Sequence, residues 1–213
     1  MKRIIKYTSI ILLIVIAFSC NTKKKEDNSS EAQITQKETI NSVDTSGISL
    51  QWTAYKFTDK MAVHGTFDDF MLVTQEASPS IEEFLVGAKI TINTQSVNSG
   101  NEVRDDKLRT YFFDVFHSDT IRGEILSAEK GKGKVTLELN NISKSVDYEF
   151  EIHNDTVSVK TAINLVYWEG EQAINTLNQE CYELHMGADK VSKLWPNVDI
   201  MMKLPIRIDS LSN

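Results

Sequence analysis

The segment NQECYELH, residues 178–185, places a cysteine and a histidine four residues apart. On an α-helix such a pair shares one face, so Cys181 and His185 could hold a metal, act as a nucleophile with its base, or simply pack. A zinc site needs three or four ligands, but His64, His117 and His153 stand on separate predicted elements. The sequence therefore offers no complete set of zinc ligands.

The surroundings of Cys181 favour packing over catalysis. A catalytic thiol needs an accessible, electropositive setting, whereas Cys181 falls in the apolar stripe of its predicted helix, between Glu180 and Glu183. We expect a buried thiol whose pKa is raised by these carboxylates. We expect His185 to lie at the C-terminal end of the helix, where the helix dipole favours a cation. A metal, redox or catalytic role for the pair is the alternative.

The other residue patterns in the sequence give even less indication of a catalytic or metal-binding site. Asp68-Asp69 and Asp105-Asp106 are neighbours in sequence rather than facing pairs. The first pair suits a turn at a strand end, and Asp105 suits the first turn of a helix. We find no Gly-rich phosphate loop, nucleophile elbow or zinc-binding helix motif in the sequence. We expect a protein that is not an enzyme and that uses neither cofactor nor metal.

The N-terminal residues have the composition of an export signal. Three cations, Lys2, Arg3 and Lys6, precede nine apolar residues at 10–18, a run too short to span a bilayer. The segment ends in AFSC, which resembles the lipobox of bacterial lipoproteins, in which the cysteine is acylated and becomes the new N-terminus. We expect residues 1–19 to be a signal peptide and Cys20 to be a lipid anchor in a membrane.

Residues 20–47 are predicted to be the lipidated cysteine and a flexible tether. They are polar, contain no aromatic residue and show no sustained apolar period, so they bury too little surface to offset the entropy of ordering. Lys25-Glu26-Asp27 resembles a short signal that sends lipoproteins to the cell surface in some Gram-negative bacteria; the alternative is a solvated charge run. We expect a cell-envelope location, as an outer-membrane lipoprotein that faces the periplasm or the cell surface.

The net charge excludes one class of partner. The chain has a formal charge of −7, and removal of residues 1–19 takes away three cations and no anions, which leaves −10. Nucleic-acid binding requires clustered Lys and Arg to neutralise phosphates, and the sequence shows no such stripe. We expect no nucleic-acid partner.

Residues 48–210 are predicted to form one β-rich domain. Apolar residues alternate with polar ones in GAKITIN, GKVTLELN, SVDYEFEI, VSVKTAINL and VDIMMKLPIRI, and three further segments bring the count to about eight strands. Such alternation is typical of antiparallel strands with one dry face, which must close or pack as a sandwich. The predicted fold class is all-β with short flanking helices, as an antiparallel, eight-stranded, lipocalin-like β-barrel. The helical period appears in 101–116 and 171–185.

The orientation of Lys56 depends on which face of its strand points inward. Lys56 follows Trp52 and Ala54 at period two. If that face points inward, an ammonium enters a dry barrel, which costs much free energy unless an anion meets it. If Tyr55 and Phe57 point inward, Lys56 is solvated. We favour the solvated orientation.

Four segments together resemble the YceI-like family of exported lipid-binding proteins. They are WTAYK (52–56), HGTF (64–67), INTQSVNSGNEVRDDKLRTYFF (92–113) and VSKLWPNVDIMMKL (191–204), and the resemblance covers roughly residues 48–208. It implies an elongated antiparallel barrel whose interior holds a polyisoprenoid or another long-chain amphiphile. At one position the sequence departs from the family, because many members have histidine two residues after the Arg-Asp pair, where Lys107 stands here.

The barrel and the resemblance together define the expected ligand site. Arg104 and Lys107 are candidates for contact with a ligand head group. The expected partners are a long-chain lipid, the membrane through Cys20, and a second copy of the chain in a homodimer. We expect these residues to line the barrel interior: Trp52, Phe67, Ile90, Ile92, Phe112, Phe113, Leu137, Leu139, Tyr148, Phe150, Ile163, Leu165, Ile200 and Met202.

The expected function is transport, storage or sequestration of this lipid. Each buried methylene contributes about 0.8 kcal/mol, so apolar burial alone can supply tight binding. One alternative is a structural or interaction module whose barrel is filled by its own side chains, such as Phe112, Phe113, Tyr148 and Phe150. The other is an envelope redox or metal protein that uses the cysteine and histidine of NQECYELH.

Overall fold

The structure, a computed structural model, describes residues 39–75 and 77–210. The predicted signal peptide, Cys20 and the predicted tether as far as residue 38 lie outside these residues. Within them, no helix combines the length and the apolar character that crossing a membrane requires. These residues belong to one compact unit.

The described residues form an antiparallel β-structure with short helices, as predicted. The three α-helices are α1 (Ile81–Leu85), α2 (Glu102–Leu108) and α3 (Glu171–Glu180). Helical turns follow α2 at Arg109–Phe113 and α3 at Tyr182–His185. The strands are β1 (Thr39–Val43), β2 (Ser49–Lys56), β3 (Met61–Phe67), β4 (Phe70–Val73), β5 (Lys89–Asn93), β6 (Val97–Asn98), β7 (Thr120–Glu129), β8 (Lys132–Leu139), β9 (Ile142–His153), β10 (Thr156–Asn164) and β11 (Leu194–Ser210).

The strands form one curled sheet in the order β4-β5-β7-β8-β9-β10-β11-β2-β3-β6. Only Asp68 and Asp69 separate β3 from β4, and only a 3-10 turn at Thr94–Ser96 separates β5 from β6. Each of these pairs is therefore one bent strand. The two bent strands pair with each other, β3 with β6 and β4 with β5, so the ladder returns on itself. The eleven segments exceed the predicted eight strands because of these two bends and because β1 pairs with the end of β11.

Polar side chains hold the two bent strands together at the bend. The Ser96 hydroxyl accepts a hydrogen bond from the Asp69 backbone N–H at 3.0 Å and donates to the Asn93 carbonyl at 2.6 Å. The Asn98 amide donates to both carboxylate oxygens of Asp68 at 3.0 and 2.9 Å. The expected turn at Asp68-Asp69 is thus present, and it joins two halves of one strand.

The folded domain begins earlier than the sequence suggested. Residues 39–47, assigned to the tether, instead contain β1 and a 3-10 turn at Thr45–Gly47. The register of β1 with β11 runs from Thr39 opposite Ser210 to Val43 opposite Ile206. The alternation of apolar and polar residues in β1 is too weak to predict a strand. Such a short strand can form because it pairs with the backbone of the long strand β11.

Helix α1 packs its apolar face against side chains of the barrel. Phe84 and Leu85 are fully buried, with 0% exposure, and belong to one cluster with Tyr148, Val157 and Leu204. Ser80 precedes the helix as its N-cap, and its hydroxyl accepts a hydrogen bond from the backbone N–H of Glu83. The contacts of α1 therefore close one end of the interior.

Candidate functional site

The barrel contains a cavity of about 520 Å³, within the range of about 300–1,000 Å³ typical of small-molecule sites. Side chains from β2, β5 and β7–β11 line it, and α2, α3 and the turn that follows α3 contribute at one end. The lining is mostly apolar, and its charged side chains lie near these helices. The interior is therefore not filled by its own aromatic side chains.

The structure places thirteen of the fourteen predicted interior residues in the cavity lining. These are Trp52, Phe67, Ile90, Ile92, Phe112, Phe113, Leu137, Leu139, Tyr148, Ile163, Leu165, Ile200 and Met202. Their contact with a ligand stays a prediction. The placement follows from strand geometry, since alternate side chains leave opposite faces of a strand.

Phe150 is the exception among the predicted interior residues. It is buried but does not line the cavity; it packs with Phe84 and Leu85 of α1. Its ring lies 6.1 Å from the ring of Tyr148. The alternation in β9 correctly predicted that Phe150 points inward. At this level, however, α1 covers the interior, and the strand pattern holds no information about that helix.

Trp52 lies flat against the wall of the cavity. Its indole N–H donates to the Thr66 carbonyl at 3.1 Å. The ring occupies the space above Gly65, where a Cβ atom would overlap the indole and lie 2.7 Å from the Asn98 carbonyl oxygen. Only glycine leaves room for this ring, which keeps the large side chain out of the centre of the cavity.

Tyr148 is accommodated in a similar way. Its hydroxyl donates to the Ser127 carbonyl at 2.9 Å, and burial raises the pKa of the phenol to about 12. Gly133 lies under the ring, where a Cβ atom would approach the ring carbons to 2.6 Å. The polar tip of this residue is thus satisfied within the wall, and the ring presents an apolar surface to the cavity.

Aromatic side chains of the helical segment after α2 cover another part of the interior. Phe112 packs edge-to-face on Phe113 with 5.1 Å between ring centroids, and Phe113 packs on Phe67 at 6.0 Å. Phe112 also contacts Phe116 at 5.4 Å. These contacts fix the helical segment to the barrel wall.

Lys56 points into the cavity, so the favoured solvated orientation was wrong. Trp52, Ala54 and Lys56 share the inward face of β2, and all three line the cavity. Lys56 is half-buried as a residue, and its ammonium donates to the Leu184 carbonyl at 3.2 Å and lies 4.6 Å from the centroid of the Phe57 ring. The register of β2 with β11, which brings Ala54 opposite Val198, decides this orientation.

Arg104 and Lys107, the two predicted head-group residues, both line the same end of the cavity. Arg104 is exposed, and Lys107 is half-buried. The Lys107 ammonium lies 3.1 Å from a carboxylate oxygen of Glu180, and this hydrogen bond raises the pKa of the lysine. One cation is thus open to solvent, and the other is already paired.

Cys181 and His185 do not share one helical face. Helix α3 ends at Glu180, Cys181 is its C-cap, and Tyr182–His185 form a separate 3-10 turn. Cys181 is buried, with 6% exposure, and lines the cavity. The pKa of its thiol is raised chiefly by burial; Glu180 also raises it, and Lys107 and Lys56 lower it. The carboxylate effect that we expected is therefore secondary.

His185 is a neutral cavity residue rather than a charged helix cap. Its Nδ1 atom lies 3.1 Å from the Asn178 side-chain oxygen, so Nδ1 carries the donating proton. Burial first, and then Lys56 and Lys107, lowers the pKa of the imidazole to about 4. The expectation of a dipole-favoured cation at this position is wrong, because the α-helix has already ended and the side chain is partly desolvated.

The structure therefore brings together side chains that are distant from one another in the sequence. Lys56 of β2, Lys107 of α2, and Cys181 and His185 after α3 meet at one end of the cavity. Among residues 39–75 and 77–210, no group of three or more His, Cys, Asp or Glu side chains is placed to hold a metal ion.

Comparison with known proteins shows which family and which solved structures this chain resembles. The family model of the YceI-like domain matches residues 41–205. A polyisoprenoid-binding domain from Saccharophagus degradans, implicated in plant cell wall breakdown, is 17% identical over 80% of this chain and 98% of that chain, with a TM-score of 0.55. BcnA from Burkholderia cenocepacia is 15% identical over 78% and 99%, with a TM-score of 0.52.

Among curated protein sequences, none matches this chain. At the identities found, the two solved structures show a shared fold. The family model covers most of the chain and nearly all of the barrel that the structure describes. The chain therefore belongs to the YceI-like family.

Proposed function

We propose that this protein binds one long-chain amphiphile, a polyisoprenoid or a lipid of similar shape, inside the barrel. The observation that carries the proposal is the apolar cavity of about 520 Å³, which α1 closes at one end and polar groups border at the other. The name of the S. degradans domain, a polyisoprenoid-binding domain of the same fold, also supports it. A hydrocarbon chain fits the apolar part, and a polar head group fits the end near α2 and α3.

The size of the cavity sets the scale of the binding energy. If each non-hydrogen atom takes about 30 Å³, the volume of a water molecule in the liquid, the cavity accepts about 17 atoms. At about 0.8 kcal/mol for each buried methylene, this gives roughly 14 kcal/mol before the costs of association, which are several kcal/mol. Binding at micromolar affinity or tighter is therefore expected. A longer chain would extend through the polar end.

Membrane attachment is the second part of the proposal. Acylation of Cys20 would anchor the protein in the cell envelope, as an outer-membrane lipoprotein that faces the periplasm or the surface. Residues 21–38 span at most roughly 60 Å when fully extended, which sets the largest distance between the anchor and the barrel. The barrel would carry or sequester lipid within that distance of the membrane. A Cys20→Ala variant that still fractionates with membranes would contradict this part.

The groups in the cavity favour binding over catalysis. Burial raises the pKa of the Cys181 thiol, so little thiolate is present at neutral pH. The low pKa of His185, about 4, makes the imidazole a weak base. We therefore propose a non-enzymatic carrier.

Native mass spectrometry of residues 21–213, purified from bacteria, tests the binding proposal. We expect one bound long-chain species for each protein chain. Ala54 lines the cavity, whereas Ala62 is exposed on the adjacent strand, so Ala54→Trp should lose the bound species and Ala62→Trp should keep it. If the wild-type chain carries no such species and takes up none from added isoprenoid alcohols or isoprenoid phosphates, the proposed function is wrong.

A further inference from the structure

The charged side chains that line the cavity all have the same sign. They are Lys56, Arg104 and Lys107, and the described part of the lining contains no Asp or Glu. The whole chain has the opposite bias, with 30 acidic and 23 basic residues. His185 adds no charge at neutral pH, because its pKa is about 4. The polar end of the cavity is therefore a local cationic site on an acidic protein.

Lys56 has unused hydrogen-bonding capacity in this site. An ammonium carries three N–H donors, and the Leu184 carbonyl accepts one of them at 3.2 Å. Within residues 40–75 and 77–208, no carboxylate oxygen lies within 4 Å of this ammonium, in contrast to Lys107, which pairs with Glu180. The remaining N–H donors of the ammonium are therefore available to an anion that reaches this end of the cavity.

Two of the three acidic side chains of α2 are engaged by other groups. Asp105 is buried and accepts the Ser99 backbone N–H at 2.9 Å, and Asp106 pairs with Arg109. Glu102 is exposed. Of the three lining cations, Lys107 is paired with a carboxylate, that of Glu180.

We propose that Lys56 is the principal contact for an anionic head group, a phosphate or a carboxylate, and that Arg104 and Lys107 lie around it. This inference rests on the proposed function, because the head group must belong to an amphiphile whose chain occupies the cavity. An ionised acceptor forms short, strong hydrogen bonds with an ammonium and compensates its partial desolvation. The ligand class is thus an anionic rather than a neutral long-chain lipid.

Paired ligands that share one hydrocarbon chain test the head group separately from the chain. Residues 21–213, freed of bound lipid, are titrated with geranylgeranyl phosphate and geranylgeraniol, and then with palmitate and hexadecanol. Trp52 and Trp195 line the cavity, so their fluorescence reports binding. The readout is the affinity ratio of anion to alcohol, which we expect to exceed about tenfold for at least one pair. The pair with the larger ratio identifies phosphate or carboxylate.

The variant Lys56→Met should lower this ratio about tenfold, and Lys56→Arg should largely keep it. Lys203→Met is the matched control, because Lys203 lies on the neighbouring strand β11, is exposed and does not line the cavity. It should leave the ratio unchanged. If Lys56→Met does not fold, the ratio for the wild-type chain still decides whether the head group is anionic.

The outcomes separate the two proposals. If the alcohols bind as tightly as the anions, the anionic head group is overturned and the proposed function stands. If Lys56→Met leaves a high ratio unchanged, Lys56 is not the principal contact of the head group, and the proposed function again stands. If neither member of either pair binds, the proposed function fails as well.

Discussion

Acidification should destabilise the barrel through His185. The pKa of this imidazole is about 4 in the folded protein against 6.5 for the free side chain. Between these values the unfolded chain binds a proton that the folded protein does not, so stability falls as the pH falls. The stabilising effect is complete above pH about 6.5 and is lost progressively towards pH 4.

The size of the effect follows from the change in pKa. A fall from 6.5 to about 4 corresponds to about 3.4 kcal/mol at 1.36 kcal/mol for each pH unit. Because His185 is only partly buried, solvent screens the burial effect and the repulsion from Lys56 and Lys107. We therefore expect that the imidazole contributes about 1–2 kcal/mol of stability at pH 7 that is largely absent at pH 4.

Urea unfolding of the wild-type chain and of His185→Gln at pH 7 and pH 4.5 measures this contribution. Other groups also titrate in this range, so the relevant quantity is the difference between the two proteins in the loss of unfolding free energy. The wild type should lose about 1–2 kcal/mol more than the variant. His153→Gln is the control, since His153 is exposed at the end of β9, and it should behave as the wild type does.

Equal losses in the wild type and His185→Gln would refute the reasoning. That result would mean that the imidazole is protonated in the folded protein without cost, and hence that the polar end of the cavity is fully solvated.

Three further predictions concern the cavity wall. Gly65→Ala should lower the free energy of unfolding by roughly 2–3 kcal/mol in urea titration, because the added methyl group overlaps the Trp52 ring; a neutral effect would contradict the position of that ring. Tyr148→Phe should cost about 1–2 kcal/mol in the same assay, because it removes the hydrogen bond to the Ser127 carbonyl. The buried thiol of Cys181 should react slowly with a charged disulfide reagent at pH 7, and the rate should fall further when a long-chain ligand is bound. A rate equal to that of free cysteine would show that the thiol is exposed.

The alternation of apolar residues was enough to predict most of the cavity wall. Leu137 and Leu139 of β8, or Ile200 and Met202 of β11, leave the same face of their strands because a strand has a period of two. Their placement in the lining needs only the rule that the dry face points inward. Among the described residues, the charged side chains that line the cavity are confined to its polar end, and this follows from the same rule.

Long-range contacts decided the remaining features. The register of β2 on β11 turned Lys56 inward, the packing of α1 separated Phe150 from the cavity, and the end of α3 at Glu180 placed Cys181 and His185 on different elements. The polar end joins residues 56, 104, 107, 181, 184 and 185, which come from distant parts of the chain. A local sequence pattern reports which face of an element is dry, but only the closed sheet determines which elements meet there, because that depends on pairing between distant strands.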